Sequence, residues 1–198
     1  MSTLIVYGSE YGTTRRYAEK SAEITNLPVI SYEDLTHEGR PLCRSKNCGT
    51  PFGDERKGDC KPSLGYDRII HFGGLYAGGV KGLKATIGAL REDTKLIIVT
   101  VGLADVNDKE NIENIRKSLS KQVPEKLLSI TPIFHLRGGI DYQELSFKHR
   151  AMMTLLYNKV KKLPEEKKTA EIKAMIETFN SKVDFVDYNS LDPIVKAI

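Results

Sequence analysis

The chain has 198 residues, of which 40% are hydrophobic and 28% are charged, a size and composition for which one buried core is sufficient. Its longest apolar runs fall far short of the ~20 residues that span a bilayer, which excludes a transmembrane helix. The chain carries 30 Lys and Arg against 26 Asp and Glu, spread along helical segments without aromatic stacking partners, so we expect no nucleic-acid binding. A strand pattern follows Met1 and Ser2 directly, without the features of a signal peptide, and we therefore expect a cytoplasmic protein.

The chain begins with a pattern that is typical of a phosphate-binding turn. Residues 3–7 form an apolar strand pattern, residues 15–24 form a helical pattern, and the segment between them is rich in glycine and hydroxyl groups. Free N–H groups and the positive dipole end of a helix N-terminus bind anions, and hydroxyl groups add further donors. No lysine follows Gly12 and the motif G-x-G-x-x-G is missing, which excludes a nucleoside-triphosphate loop and a dinucleotide site and favours one monophosphate. The residues expected at this loop are Ser9, Glu10, Tyr11, Gly12, Thr13 and Thr14.

A long polar segment, residues 36–65, separates the second predicted strand (residues 27–32) from the third and contains all three cysteines. Four soft or borderline ligands with the spacing H-x5-C-x4-C-x11-C can surround zinc tetrahedrally, although the C-x2-C pairs of strong zinc motifs are missing. A disulfide framework is disfavoured in a cytosolic protein. A zinc site, a redox-active thiol pair and a loop with free thiols therefore all remain open. The residues concerned are His37, Cys43, Cys48 and Cys60.

The middle of the chain alternates between strand and helix patterns. Apolar strands are predicted over residues 66–72, 95–101 and 132–139, and helices over residues 80–90 and 107–121. This alternation predicts βαβ crossovers and a mainly parallel sheet covered on both faces. We therefore expect one doubly wound α/β domain over residues 1–198, with residues 36–65 as an insertion.

Two of these segments resemble flavodoxins. In that superfamily the terminal phosphate of FMN binds at the first strand-to-helix loop, and a Y-D-x-I-I strand, here residues 66–70, precedes a loop beside the flavin ring. The resemblance implies a five-stranded sheet in the order 2-1-3-4-5, with FMN at the carboxyl ends of the first and third strands. It also implies stacking of Tyr76 on the ring. Leu103 replaces the usual second aromatic residue, for which Tyr142 is a candidate. The expected ring contacts are Leu75, Tyr76, Ala77, Gly78, Gly79, Gly102, Leu103, Ala104, Asp105 and Tyr142.

The C-terminal third is longer than a minimal flavodoxin requires. Residues 145–163 predict a basic amphipathic helix, residues 165–180 and 191–198 predict two further helices, and residues 183–188 predict a short strand between them. A basic amphipathic helix lies on an anionic membrane surface, contacts an acidic partner or packs on the core. We expect its apolar stripe to pack on the core. That stripe consists of Met152, Leu155, Leu156, Val160 and Leu163.

Over most of its length the chain resembles the flavodoxin-domain branch that includes the menaquinone-dependent protoporphyrinogen oxidases. The resemblance implies noncovalent FMN and an oxidoreductase that passes electrons between a cellular donor and a quinone-like or porphyrinogen-like partner. Two alternatives are an electron carrier without a substrate of its own, and a regulatory module that binds no flavin and uses the cysteine segment. Flavodoxin carriers are typically acidic, whereas this chain has a net charge of +4. The sequence identifies no general acid or base.

Overall fold

The computed structural model describes residues 1–36, 65–76 and 79–198. The strands of its main sheet are β1 (Thr3–Gly8), β2 (Val29–Ser31), β3 (Arg68–Tyr76), β4 (Gly79–Val80), β5 (Lys95–Gly102) and β6 (Ile133–Arg137). Five of them are parallel, in the order β2-β1-β3-β5-β6, which confirms the predicted doubly wound α/β fold and its strand order. The two-residue strand β4 turns back and pairs antiparallel with the end of β3.

The described part of the chain also contains seven α-helices, three short 3₁₀ helices and a small second sheet. In the second sheet, β7 (Gly139–Asp141) pairs antiparallel with β8 (Lys182–Asp184). No helix among the described residues is long and apolar enough to cross a membrane. The helices are α1 (Thr13–Thr25), α2 (Leu83–Gly88), α3 (Lys109–Leu119), α4 (Glu125–Leu128), α5 (Phe147–Val160), α6 (Ala170–Glu177) and α7 (Asp192–Lys196).

Both faces of the main sheet are buried, which explains why its strands are continuous apolar runs rather than alternating ones. Leu4 and Val6 of β1 pack in a cluster with side chains of α2 and α3, whereas Ile5 packs in a second cluster with α1 and α7. The parallel register places Gly8 of β1 beside Gly73 of β3. The loops that follow β1, β3 and β5 therefore leave the sheet at the same edge.

Helices α5 and α6 pack with the second sheet in a cluster of their own. On α5 the buried side chains are Met153 and Val160, so the prediction that the whole apolar stripe packs on the core is wrong. Met152, Leu155 and Leu156 are exposed. Only the face of α5 that contacts α6 and its neighbours is covered, and apolar residues also occur on the other faces of this helix.

Candidate functional site

A cleft opens at the carboxyl ends of β1, β3 and β5, where the strand order of the sheet reverses. Ligands of doubly wound sheets bind at this position. Four segments that are distant in the sequence line it: the loop after β1, the last residues of β3, the end of β5, and the residues after β6. The lining residues are Glu10, Tyr11, Thr13 and Thr14, together with residues 74–76, 101–103 and 138–140.

The loop after β1 is shaped to leave the N-terminus of α1 free. Gly12 precedes the helix with φ of 87°, a left-handed conformation that glycine adopts without strain. The Ser9 hydroxyl accepts a hydrogen bond from the Gly12 N–H at 3.0 Å, which fixes the turn. No side chain caps α1, and its first turn contains no acidic residue. The first N–H groups of this 13-residue helix and its positive dipole end therefore suit an anion from outside.

Two threonine hydroxyls stand beside these N–H groups, each packed against a glycine from another segment. A Cβ on Gly74 would lie 3.0 Å from Thr14 Oγ1, and a Cβ on Gly138 would lie 3.1 Å from Thr13 Oγ1. The absence of side chains at both glycines lets backbone from the end of β3 and from the turn after β6 approach the helix N-terminus closely. The Thr13 hydroxyl donates to the Gly139 carbonyl oxygen at 3.4 Å, so its position is fixed by that turn. The N–H groups and the Thr14 hydroxyl beside them form a small cradle of donors, which is the kind of donor set that a phosphate group requires.

Glu10 is the one carboxylate of this loop, and its charge is compensated within the protein. It forms an ion pair with the Lys81 ammonium, and His149 Nε2 of α5 lies 2.9 Å from Glu10 Oε1. Burial lowers the pKa of Lys81, but the hydrogen bond and the charge of Glu10 outweigh burial and raise it, so Lys81 stays charged. The paired carboxylate therefore repels an anion at the neighbouring helix N-terminus less than a free one would.

A buried histidine fastens the segment that carries Lys81 to the sheet. His71 Nε2 lies 3.0 Å from the Lys81 carbonyl oxygen, and His71 Nδ1 lies 2.9 Å from the Thr86 hydroxyl of α2. Burial lowers the pKa of His71 to about 4, so the ring is neutral at pH 7. The carbonyl can only accept, so Nε2 donates to it and Nδ1 accepts from Thr86. His71 is thus a packed, hydrogen-bonded histidine within β3.

The other end of the cleft is aromatic and apolar. The rings of Tyr11 and Tyr76 meet edge to face with centroids 6.2 Å apart, and the Tyr76 hydroxyl donates to Met152 Sδ of α5 at 3.1 Å. Burial is the main cause that raises the pKa of Tyr11, so its hydroxyl remains protonated. Leu75 and Leu103 complete the wall. The cleft therefore joins an anion cradle to an apolar, aromatic surface.

Several residues predicted at this site lie outside the cleft. Ala104 is buried, and Asp105 accepts from the Asn107 N–H at 2.9 Å in the turn before α3. Gly79 pairs with Tyr76 in the hairpin. Tyr142 is buried against Phe179, with ring centroids 5.3 Å apart, rather than along the cleft wall. Ser9 and Gly12 shape the loop but are not among the lining residues. Ala77 and Gly78 lie outside the described residues.

The proposed metal ligands cannot be placed. His37, Cys43, Cys48 and Cys60 all lie outside the described residues. Within the part of the chain that the structure describes, no three His, Cys, Asp or Glu side chains are grouped as metal ligands. The structure therefore gives no support to the zinc prediction.

Three site features were missed in the sequence. Residues 138–140 reach the cleft because β6 pairs with β5, and the Gly138-Gly139 pair directly after a strand is the signal that identifies them. Lys81 and His149 contact Glu10 from two distant segments, and no local sequence pattern predicts these contacts.

Comparison with known proteins places this chain among flavodoxin domains. The family model described as a flavodoxin domain matches residues 58–168, which is more than half of the chain. No curated protein matches. Solved structures with a similar fold include a cysteine-to-serine mutant of flavodoxin from Pseudomonas aeruginosa (10% identity, 79% of this chain and 93% of that chain covered, TM-score 0.37). A second is a flavoprotein in complex with FMN from Lactobacillus acidophilus NCFM (14% identity, 69% of this chain and 91% of that chain covered, TM-score 0.35). A third is the azoreductase AzrA (10% identity, 100% of this chain and 98% of that chain covered, TM-score 0.45). The chain belongs to the flavodoxin-domain family.

Proposed function

We propose that the cleft binds FMN noncovalently and that the protein is a flavin-dependent redox protein. The observation that carries the proposal is the pairing of an uncapped, acid-free helix N-terminus with an apolar, aromatic wall in one cleft. A ligand with a monophosphate at one end and a planar aromatic ring at the other matches both ends. Membership of the flavodoxin-domain family supports the same ligand.

The residues around α1 would hold the phosphate. The first N–H groups of the helix and the Thr14 hydroxyl supply the donors, and the Ser9 contact with Gly12 holds the turn in place. Lys81 offsets the negative charge of Glu10, and His149 Nε2 lies 2.9 Å from Glu10 Oε1. The loop can therefore accept a phosphate dianion although it contains a carboxylate.

The wall of Leu75, Tyr76 and Leu103 would hold the ring. FMN, when bound, supplies one-electron or two-electron transfer chemistry, and the protein orients it and tunes its surroundings. The Tyr76 side chain offers an aromatic face, and the apolar neighbours exclude water from one side of the cleft.

For the reaction, we infer an oxidoreductase that passes electrons from a cellular donor to a quinone-like or porphyrinogen-like partner. The resemblance to the branch with menaquinone-dependent protoporphyrinogen oxidases supports this proposal. The net charge of +4 differs from that of a typical acidic electron carrier, and a basic protein is attracted to acidic partners or to anionic membranes.

The first experiment is to record the visible absorbance spectrum of the purified protein, with and without added FMN. Released cofactor is identified by mass, and zinc and iron are assayed on the same sample. Saturable FMN binding supports the proposed site. Failure to bind added FMN overturns it and leaves the cysteine segment as the main functional candidate.

The second experiment separates the enzyme from the carrier. The flavin is reduced under anaerobic conditions and mixed with a soluble menaquinone analogue, while the oxidised protein is mixed with protoporphyrinogen. Rapid change of the flavin spectrum with either small molecule, under multiple turnovers, supports the oxidoreductase. A flavin that exchanges electrons only with a protein partner supports the carrier.

A further inference from the structure

The outer face of α5 combines exposed apolar side chains with positive charge. Phe147, Ala151 and Leu155 follow each other at intervals of four residues and so form one row along the helix. Phe147 is 88% exposed and Leu155 is 71% exposed, whereas Met153 on the opposite face is buried. Large apolar side chains at such exposure, aligned on one helix, mark an interaction surface rather than an uncovered piece of core.

The positive charge of the chain is concentrated in the same segment. Residues 145–163 contain five Lys and Arg and no Asp or Glu, namely Lys148, Arg150, Lys159, Lys161 and Lys162. The whole chain has 30 basic and 26 acidic side chains, so the remaining residues hold 25 basic and 26 acidic ones. Among the described residues, none of the five forms an ion pair with a carboxylate. The net charge of the protein therefore belongs to this helix and its C-terminal extension.

The lysines lie beside the apolar row. Leu155 follows Lys148 by seven residues and precedes Lys159 by four, so all three side chains point to the same side of α5. Such a helix suits the boundary between lipid headgroups and acyl chains, where apolar side chains enter the bilayer and lysines meet anionic headgroups. We propose that the outer face of α5 docks on an anionic lipid surface.

The same helix also borders the cleft. The inner side of α5 contacts the cleft through His149, which lies beside Glu10, and through Met152, which accepts from the Tyr76 hydroxyl. Docking through the outer face would therefore hold the cleft about one helix diameter, roughly 10 Å, from the lipid surface. The docking itself does not rest on the flavin proposal, because the docking residues lie outside the cleft lining.

The test is cosedimentation with vesicles, using the full chain with and without FMN. We expect binding to vesicles of equal parts phosphatidylcholine and phosphatidylglycerol, and weak binding to pure phosphatidylcholine. The double variant Lys148→Gln, Lys159→Gln should lower the partition coefficient about twenty-five-fold, at about fivefold for each lysine. The double variant Phe147→Ser, Leu155→Ser should lower it at least about a hundredfold, because each large apolar side chain no longer enters the bilayer.

Matched controls change the same residue types elsewhere on the surface. Lys117→Gln with Lys121→Gln removes two exposed lysines in and after α3, and Ile130→Ser removes a side chain that is 78% exposed. Both should leave vesicle binding unchanged. Absence of binding to the anionic vesicles overturns the proposal. That result is expected if the outer face of α5 binds an acidic protein instead of lipid. Equal losses in the α5 and control variants also overturn it. Circular dichroism confirms that each variant is folded, and FMN titration reports on the cleft separately.

Discussion

Placing a carboxylate at the start of α1 tests the phosphate site in a way that separates it from folding. Thr13 is the first residue of the helix, is partly exposed and lines the cleft. The variant Thr13→Asp puts a negative charge where the proposed site holds the phosphate. Because α1 has no acidic residue in its first turn and no side-chain cap, the same charge complements the helix dipole.

The added carboxylate has opposite effects on the stability of the fold and on FMN binding. A carboxylate at an exposed helix N-terminus stabilises a protein by about 0.3 to 1 kcal/mol. Two unit charges ~5 Å apart repel by about 3 kcal/mol at an effective dielectric constant of ~20, which weakens FMN binding by more than about a hundredfold. The variant also loses the hydrogen bond from the Thr13 hydroxyl to the Gly139 carbonyl oxygen, which at 3.4 Å is a weak one. Thr13→Asp should therefore unfold at a urea concentration no lower than that of the wild type and yet lose FMN.

The assay pairs urea unfolding of the apoprotein with fluorescence titration of FMN. Thr25→Asp is the matched control, because it places the same charge at the opposite end of α1. We expect the control to lower the free energy of unfolding and to leave FMN affinity unchanged. If Thr13→Asp bound FMN as tightly as the wild type, the phosphate would have to lie elsewhere.

Three further predictions concern single side chains in and around the sheet. His71 has a pKa of about 4 when folded and an ordinary value of 6.5, so the unfolded state binds more protons between these values. The free energy of unfolding is therefore highest above pH 6.5 and falls by about 3 kcal/mol as the pH drops toward 4. Urea titrations at several pH values should show this fall for the wild type and not for His71→Leu. Gly8→Ala should destabilise by more than about 1 kcal/mol because its Cβ would overlap the Lys81 carbonyl, whereas Gly88→Ala has open space and should not destabilise the protein in thermal unfolding. Tyr76→Ala should weaken FMN binding about tenfold in the fluorescence titration, and unchanged affinity would remove Tyr76 from the ring site.

The fold could be predicted because its strands are buried on both sides. The runs at residues 4–7 and 96–99 are apolar without interruption, as the central strands of a doubly wound sheet require. The first and last residues of the helices and short strands could be predicted less accurately than the strands themselves. The predicted start of α1 was residue 15, whereas Gly12 adopts its left-handed conformation and the helix begins at Thr13. The strand Gly79–Val80 is too short to have a pattern of its own, and the predicted helix over residues 80–90 is reduced to Leu83–Gly88 because Val80 belongs to that strand.

The site could be predicted as far as local motifs reach. The Ser9 to Thr14 loop is contiguous, so its role follows from glycine and hydroxyl spacing alone. The contact of Glu10 with Lys81 and His149 joins positions up to 139 residues apart, and only the folded sheet brings them together. The covered side of α5 was also undetermined, because Met152, Met153 and Leu155 to Leu156 occupy several faces and the periodicity selects none of them.

Helix α5 contacts the cleft and the solvent through different sides. His149 and Met152 contact the loops of the cleft, whereas Phe147 and Leu155 project into solvent. Changes that are separated in this way are expected to act independently on stability and binding. An outer-face variant should therefore lose vesicle binding and keep its FMN affinity, and His149→Ala should alter FMN affinity through Glu10 and keep vesicle binding. Observing both losses in both variants would instead mean that α5 must be docked against the cleft for either surface to form.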